Sequence, residues 1–282
     1  MAAVHIVCDS TADLDPAYRS AHDLRVVPLK VIFGEEVLED GVSIDAPRFY
    51  ARMRASTLHP RTSQPTPAEF EAVFREVGAG GDPVVCTTIS ADLSGTYTSA
   101  TQARAVLPDH DIRVIDSRTA AIGHQAIVRQ AVRVAETAGS VAEVEAAIAA
   151  VQATQRLLFT VETLEYLRRG GRIGGARALL GSMLDIKPIL ELRDGVIKPV
   201  DRVRTYVRAL DRIASEAATQ AEAWGGATIF VAHADHLDVG TRVADRLKSL
   251  PNAEVVLTDV GPVIGCHSGP GAIGVAFHRP LS

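Results

Sequence analysis

The chain has 282 residues, of which 47% are hydrophobic, 22% charged and only 5% aromatic. These fractions are typical of a globular protein with an aliphatic core, and they argue against a disordered chain or a module that stacks nucleic-acid bases on aromatic side chains. The net charge of -5 argues against a basic nucleic-acid-binding domain, and three widely spaced cysteines argue against a zinc ribbon or a disulfide framework.

In the first half, predicted strands alternate with predicted helices. Strands are predicted at residues 5–8, 26–33, 84–89 and 112–115, and helices at 46–55, 67–77, 94–106, 119–137 and 141–153. Pro47 and Pro67 suit first helical turns, and Ser94 is a candidate N-cap. The alternation is typical of βαβ units. It predicts a domain at residues 1–153 with a Rossmann-like parallel sheet and flanking helices.

The second half mixes hairpin and helix signals. Strands are predicted at residues 157–161, 186–192, 196–200, 228–232 and 254–258, and helices up to 168, at 203–223 and at 237–250. Asp194-Gly195 is typical of a hairpin turn. The pattern predicts a mixed α/β domain at residues 154–282, so the expected fold class is α/β with two domains. The chain shows neither a signal peptide nor a membrane-length apolar run, so we expect a cytoplasmic protein.

Charge is unevenly distributed along the chain. Residues 166–212 carry a formal charge of +6 and the remainder carries -11. One interpretation is a solvated helix face, and the other is a surface for an anionic ligand or an acidic partner.

Small polar residues follow several predicted strands, at Asp9-Ser10-Thr11, Ser94-Gly95-Thr96 and Asp116-Ser117. Open α/β sheets bind ligands at such strand ends, but the same side chains also cap helices. The loop Thr62-Ser63-Gln64-Pro65-Thr66-Pro67 has the same two interpretations, as a helix cap or as a hydroxyl-rich anion clamp.

The most unusual segment is 259–274, with five glycines and two prolines. Its GxGxxG pattern does not predict a dinucleotide site, because only eight residues follow Gly274. His267 between glycines suits a donor to an anion, or alternatively a structural histidine. The sequence lacks a P-loop, HExxH and GxSxG, and His233 with His236 lacks further obvious metal ligands, so we expect no metal site.

Several segments, in order along nearly the whole chain, carry a family resemblance: IVCDSTADL, TSQPTP, ISADLSGTYTSA, VIDS, LEYLRRGGRIGG, KPIL, DRVRT and GPVIGCHSGPGAIG. They resemble the DegV family of bacterial fatty-acid-binding proteins. The resemblance implies a protein without catalytic residues or a cofactor. It would bind a long-chain fatty acid and present the carboxylate to a separate ATP-dependent kinase, which forms an acyl phosphate for phospholipid synthesis.

The resemblance also implies roles for individual residues. Thr62, Ser63, Ser94 and His267 would surround the carboxylate, and Arg172 would lie near the head group and the transferred phosphate. Arg169, with Arg202 or Arg204, would dock the kinase. The resemblance leads us to expect Thr at the position of Cys266, and a thiol is the weaker hydrogen-bonding group. The acyl tail would need an apolar tunnel, expected in residues 154–282. Residues 173–176 and 178–180 have two interpretations, as lining of this tunnel or as ordinary core packing, and the second suits each single residue better. Loop 59–67 would pack against that domain.

Two other functions compete with this interpretation. The first is a stand-alone acyl hydrolase that uses Ser94 or Cys266 with His267. Adjacent residues rarely point together in a strand, which weakens the Cys266 version. The second is a structural or regulatory protein that uses the basic 166–212 face and has a fully packed interior.

Overall fold

The computed structural model describes residues 3–137, 139–180 and 186–281. Within them the strands are β1 (His5–Asp9), β2 (Arg25–Val27), β3 (Lys30–Phe33), β4 (Glu36–Glu39), β5 (Arg61–Ser63), β6 (Val84–Thr88), β7 (Ile112–Asp116), β8 (Arg156–Thr160), β9 (Lys187–Arg193), β10 (Val196–Val203), β11 (Ala227–His233), β12 (Ala253–Asp259) and β13 (Ile273–His278). The helices are α1 (Pro16–Ala21), α2 (Ala46–Ala55), α3 (Pro67–Val77), α4 (Thr96–Ala105), α5 (Ala121–Glu136), α6 (Val141–Thr154), α7 (Glu165–Arg169), α8 (Tyr206–Trp224), α9 (Leu237–Lys248) and α10 (Pro262–Ser268). None of these described helices combines the length and apolar character needed to cross a bilayer.

Three sheets organise the described residues. The first is parallel, with strand order β2-β1-β6-β7. The second has six strands in the order β10-β9-β8-β13-β11-β12, and only its β11–β12 pair is parallel. The third is a small antiparallel sheet, β4-β3-β5. The predicted α/β class, with a parallel first sheet and a mixed second sheet, is confirmed.

Helix α5 links the two large sheets. It contacts β1 and β6 of the parallel sheet as well as β8, β11 and β13 of the mixed sheet. Nearly all of its residues between Ala121 and Val132 are buried, as expected for a helix that is apolar on more than one face. One hydrophobic cluster therefore contains residues from both halves of the chain, including Ile6, Ile127 and Leu157.

Several local predictions are confirmed because short-range chemistry determines them. Helix α2 follows Asp45, whose carboxylate accepts the Arg48 N–H. Helix α3 begins after a capping box made by Thr66 and Glu69. The β9–β10 hairpin turns at Asp194-Gly195, where both residues have positive φ, 55° and 86°, as the tightest hairpin turn requires.

Other predictions are wrong. Ser94 is not an N-cap, because α4 begins at Thr96 with Gly95 in the cap position and without a side-chain cap bond. The run 26–33 is two strands in different sheets, interrupted at Pro28, which has no N–H for a ladder bond. The segment around Cys266 and His267 is a helix rather than a strand, and β5 and β13 were not predicted.

Candidate functional site

A mostly apolar cavity lies between one face of the mixed sheet, the first turn of α5 and helix α10. Its volume is about 880 Å³, including the part that opens to solvent. Leu29, Ile89 and Ile122 contribute to its wall from the first half of the chain, and Leu157 and Ile197 contribute from the second. The cavity is therefore shared between the halves, whereas the sequence placed the tunnel in residues 154–282.

Few of the described residues in the wall of this cavity have polar side chains. They are Thr62, Ser94, Arg172, His267 and Ser268. Four of these were predicted as site residues, and the fold brings all four to one cavity. Ser268 was missed, although it directly follows His267 in the sequence. Its hydroxyl lies 3.4 Å from the Gly269 carbonyl.

Strand β5 positions Thr62 and separates it from Ser63. The Thr62 hydroxyl reaches His267, with 2.9 Å between Oγ1 and Nε2. Successive side chains on a strand point to opposite faces. Ser63 is accordingly exposed and outside the cavity wall, and its hydroxyl donates to the Gln64 carbonyl at 3.3 Å. The loop 59–67 thus contacts the second half of the chain through Thr62.

His267 lies in the last turn of α10 and packs against the backbone after α7. A Cβ added at Gly170 would overlap the imidazole at Nδ1, so glycine permits this close approach. Burial lowers the pKa of His267 to about 4, and the nearby positive charge of Arg172 contributes to the lowering. The imidazole is therefore neutral at pH 7. Its buried Nδ1 has no hydrogen-bond partner among the described residues.

Arg172 is held in place by backbone carbonyls. Its Nε donates to the Leu93 carbonyl at 3.0 Å, and its Nη1 donates to the Gly170 carbonyl at 2.6 Å. Among the described residues it forms no ion pair with a carboxylate. An arginine without a carboxylate partner in the wall of an apolar cavity is suited to binding an anion.

Ser94 completes the polar end of the cavity. Its hydroxyl lies 2.8 Å from the Thr96 hydroxyl and accepts the Thr96 N–H at 3.3 Å. Described contacts of Ser94 do not include a hydrogen bond to His267. Cys266 is buried and is absent from the described cavity wall, and burial raises the pKa of its thiol. Neither arrangement resembles an activated nucleophile.

The remaining predicted arginines are on the surface. Arg169 is exposed and pairs with Glu165 at 2.6 Å. Hydrogen bonds from Arg168 and Arg169 lower the pKa of Glu165 to about 2. Arg202 and Arg204 are exposed, and neither forms an ion pair with a described carboxylate. The basic stretch is thus partly neutralised by its own acids and partly unpaired.

Two further groups of candidate residues lie outside the cavity wall. The Asp9 carboxylate accepts the N–H groups of Thr11 and Ile89, at 2.9 Å and 2.6 Å, so it acts as a buried cap. Residues 173–180, expected to line the tunnel, are absent from the described wall of the cavity. Their 3-10 helix packs on β10, with Gly174 against the Ile197 carbonyl.

Comparisons of the sequence with known proteins all find members of one family. A DegV family model, described as an uncharacterised protein of that family, matches residues 3–279. A DegV domain-containing protein of Streptomyces coelicolor is 39% identical over 281 residues, covering 96% of this chain and 97% of the relative.

Solved structures give the same result. The structure of a DegV family protein from Thermus thermophilus, described for its fatty acid binding, has a TM-score of 0.93 and 32% identity, and covers 99% of this chain and 100% of that one. A stearic acid-binding protein from Eubacterium ventriosum has a TM-score of 0.88 and 32% identity, with 98% of each chain covered. Both the sequence motifs and these matches lead to one conclusion: the chain belongs to the DegV family.

Proposed function

We propose that this protein binds a long-chain fatty acid in the cavity between its mixed sheet, α5 and α10. The carboxylate would contact Thr62, Ser94 and His267, with Arg172 close to the head group. The observation that carries the proposal is the distribution of polarity in the cavity: a mostly apolar wall that includes an arginine without a described carboxylate partner, hydroxyl groups and a neutral histidine.

The physical chemistry of both ends of the ligand agrees with this assignment. Burying one methylene contributes about 0.8 kcal/mol, so a tail of about 16 carbons gains on the order of 10 kcal/mol before the costs of association. A carboxylate taken into the same cavity must be hydrogen-bonded or paired, because an isolated buried charge is very costly. Arg172 supplies the opposite charge, and Thr62, Ser94 and His267 supply hydrogen bonds.

Solved relatives support the ligand class. The Thermus thermophilus relative is described for fatty acid binding and the Eubacterium ventriosum relative for binding stearic acid. Each shares 32% identity with this chain over nearly its full length. We infer the same ligand class here from that similarity and from the cavity.

We further propose that the protein presents the bound carboxylate to a separate ATP-dependent kinase. There, a carboxylate oxygen would attack the γ-phosphorus of ATP, forming the acyl phosphate and releasing ADP. Arg172 would stabilise charge on the transferred phosphoryl group. Arg169, with Arg202 or Arg204, would dock the kinase, since exposed guanidinium groups suit an acidic partner. This protein would then be a substrate-presenting subunit without catalytic residues of its own.

The ligand is tested by organic extraction of protein purified from bacterial cells, followed by mass spectrometry. We expect stoichiometric long-chain fatty acid. Protein that releases none, even after incubation with palmitate or stearate, contradicts the proposal.

The kinase role is tested in a reconstituted assay with a fatty acid kinase subunit and ATP. His267→Ala and Arg172→Ala should each lower acyl-phosphate formation while the fold is retained. Arg169→Ala, and one of the two variants Arg202→Ala and Arg204→Ala, should weaken kinase association without changing fatty acid affinity. Hydrolysis of an acyl ester without ATP or kinase would instead favour the acyl hydrolase, for which Ser94 and His267 lack the direct hydrogen bond.

A further inference from the structure

Gly274 occupies an unusual place in the mixed sheet. It lies in the buried strand β13, directly opposite Phe159 on β8 and Ala232 on β11. Directly opposed residues of an antiparallel pair have their side chains on the same face. Gly274, Phe159 and Ala232 all belong to the wall of the apolar cavity, so this face of the sheet forms part of its floor.

Neither the backbone nor the packing requires glycine at this position. The φ angle of Gly274 is not positive, so other residues can adopt its backbone conformation. A Cβ added there would meet Ile122 Cδ1 at 3.5 Å, Phe159 Cβ at 3.7 Å and Leu157 Cδ1 at 3.8 Å, all ordinary van der Waals contacts. Glycine in a strand interior weakens the strand and commonly marks the close approach of a ligand or another backbone.

The atoms around the missing side chain all belong to the cavity. Ile122, Leu157 and Phe159 line it together with Gly274. The space that a side chain at 274 would fill is therefore space in the cavity itself. The hydrogen-bonding residues Thr62, Ser94 and Arg172 are not among the atoms nearest that space, so its surroundings are hydrocarbon.

We propose that Gly274 determines how long an acyl chain the cavity accepts. This inference rests on the proposed fatty acid binding and adds a specificity-determining residue to it. An acyl tail makes no directional bonds, so the shape of the wall is what distinguishes one chain length from another. A larger side chain at 274 excludes methylenes of the tail, and each excluded methylene weakens binding roughly fourfold.

The test compares wild-type protein with Gly274→Leu, using delipidated protein and a series of octanoate, laurate, palmitate and stearate. For wild-type protein we expect affinity to increase with chain length. For Gly274→Leu we expect octanoate affinity within about twofold of wild type, with palmitate and stearate weakened at least tenfold. Gly274→Ala is the matched control, because one methyl group fits existing contacts; it should change each affinity less than about fivefold.

The possible failures are distinguishable. Wild-type protein that binds none of the acids overturns the proposed function itself. If the affinity of wild-type protein increases with chain length and Gly274→Leu shows the same affinities, only the role of Gly274 is overturned. Should Gly274→Leu fail to fold, Gly274→Val places a shorter side chain in the same space, and the same two outcomes decide for or against the inference.

Discussion

Two buried histidines in this molecule differ in how completely they are hydrogen-bonded. His124 belongs to α5, and its side chain lies near the end of β1. Its Nε2 is 3.0 Å from the Thr87 hydroxyl and its Nδ1 is 3.5 Å from the Thr11 hydroxyl. His267 lines the cavity, and of its two ring nitrogens only Nε2 bonds to a described residue, Thr62. Burial lowers the pKa of both rings.

The difference indicates which polar cluster is structural and which is suited to a ligand. Around His124, the buried Asp9 carboxylate accepts hydrogen bonds from Thr11 and Ile89 and completes a closed network. Around His267, Arg172 has no carboxylate among the described residues. Buried polar groups in native proteins are normally satisfied, so the incomplete cluster is the one whose remaining bonds suit a ligand.

The largest expected effect is a loss of stability when the hydrogen-bond network around Asp9 is broken. Asp9→Ala leaves the Thr11 hydroxyl and the N–H groups of Thr11 and Ile89 without their acceptor. Each unpaired buried group costs about 1–3 kcal/mol, so we expect a loss of roughly 3 kcal/mol or more in the free energy of unfolding, measured by urea denaturation. Asp9→Asn is the control and should lose less, because it keeps one acceptor oxygen. A loss below about 1 kcal/mol for Asp9→Ala would show that this network is not a structural one.

Removing the cavity arginine should weaken fatty acid binding. Arg172→Ala deletes a charged donor worth about 1.5–3 kcal/mol to a carboxylate, which corresponds to roughly ten- to hundredfold weaker palmitate binding by titration calorimetry. Arg202→Ala removes an exposed arginine outside the cavity and should leave the affinity unchanged. Equal affinities of the two variants would refute the head-group assignment.

Removing one hydroxyl group at the polar end of the cavity should have a smaller effect on fatty acid affinity. Thr62→Val keeps the side-chain shape but removes the bond to His267 Nε2, and one hydrogen bond contributes about 1 kcal/mol, or roughly fivefold in affinity. Ser63→Ala is the adjacent control and should bind like wild type, because Ser63 is exposed on the opposite face of β5. Should Ser63→Ala weaken binding more than Thr62→Val, the placement of this strand at the site is incorrect.

The last prediction concerns how the stability of the protein depends on pH. The folded pKa of His267 is about 4, below the unfolded value of about 6.5. As pH falls from about 6.5 to about 4, the unfolded chain takes up a proton that the folded imidazole resists, so stability decreases across that window. His267→Gln should flatten this part of the pH profile in thermal unfolding experiments. A steeper profile in the variant would contradict a neutral, buried His267.

The sequence predicted those parts of the fold that short-range chemistry decides. The cap residues Asp45 and Thr66 lie within three residues of the groups they bond, and Asp194-Gly195 forms a turn by itself. The run 26–33 was misjudged because strand periodicity does not show which sheet a strand joins. Helix α10 was missed because it has only seven residues and Gly265 in its middle does not favour a helix, and tight packing against Phe49 and Tyr50 holds it in place.

Family motifs point to individual residues of the candidate site, but the local sequence pattern does not predict how these residues come together in the fold. Thr62 and His267 are 205 positions apart, and only the packing of β5 against α10 brings them together. The motifs named Thr62, Ser94, Arg172 and His267, which the fold brings to the wall of one cavity. They did not identify the cavity wall, because residues such as Ile122, Leu157 and Gly274 look like ordinary core positions in the sequence.

The most direct test of the central claim is a crystal structure of the protein saturated with palmitate. We predict continuous acyl density in the cavity between the mixed sheet, α5 and α10, with the carboxylate within hydrogen-bonding distance of Thr62, Ser94 and His267 and the tail passing Gly274. Palmitate bound elsewhere, or bound with its carboxylate among Leu157 and Phe159, would contradict the account.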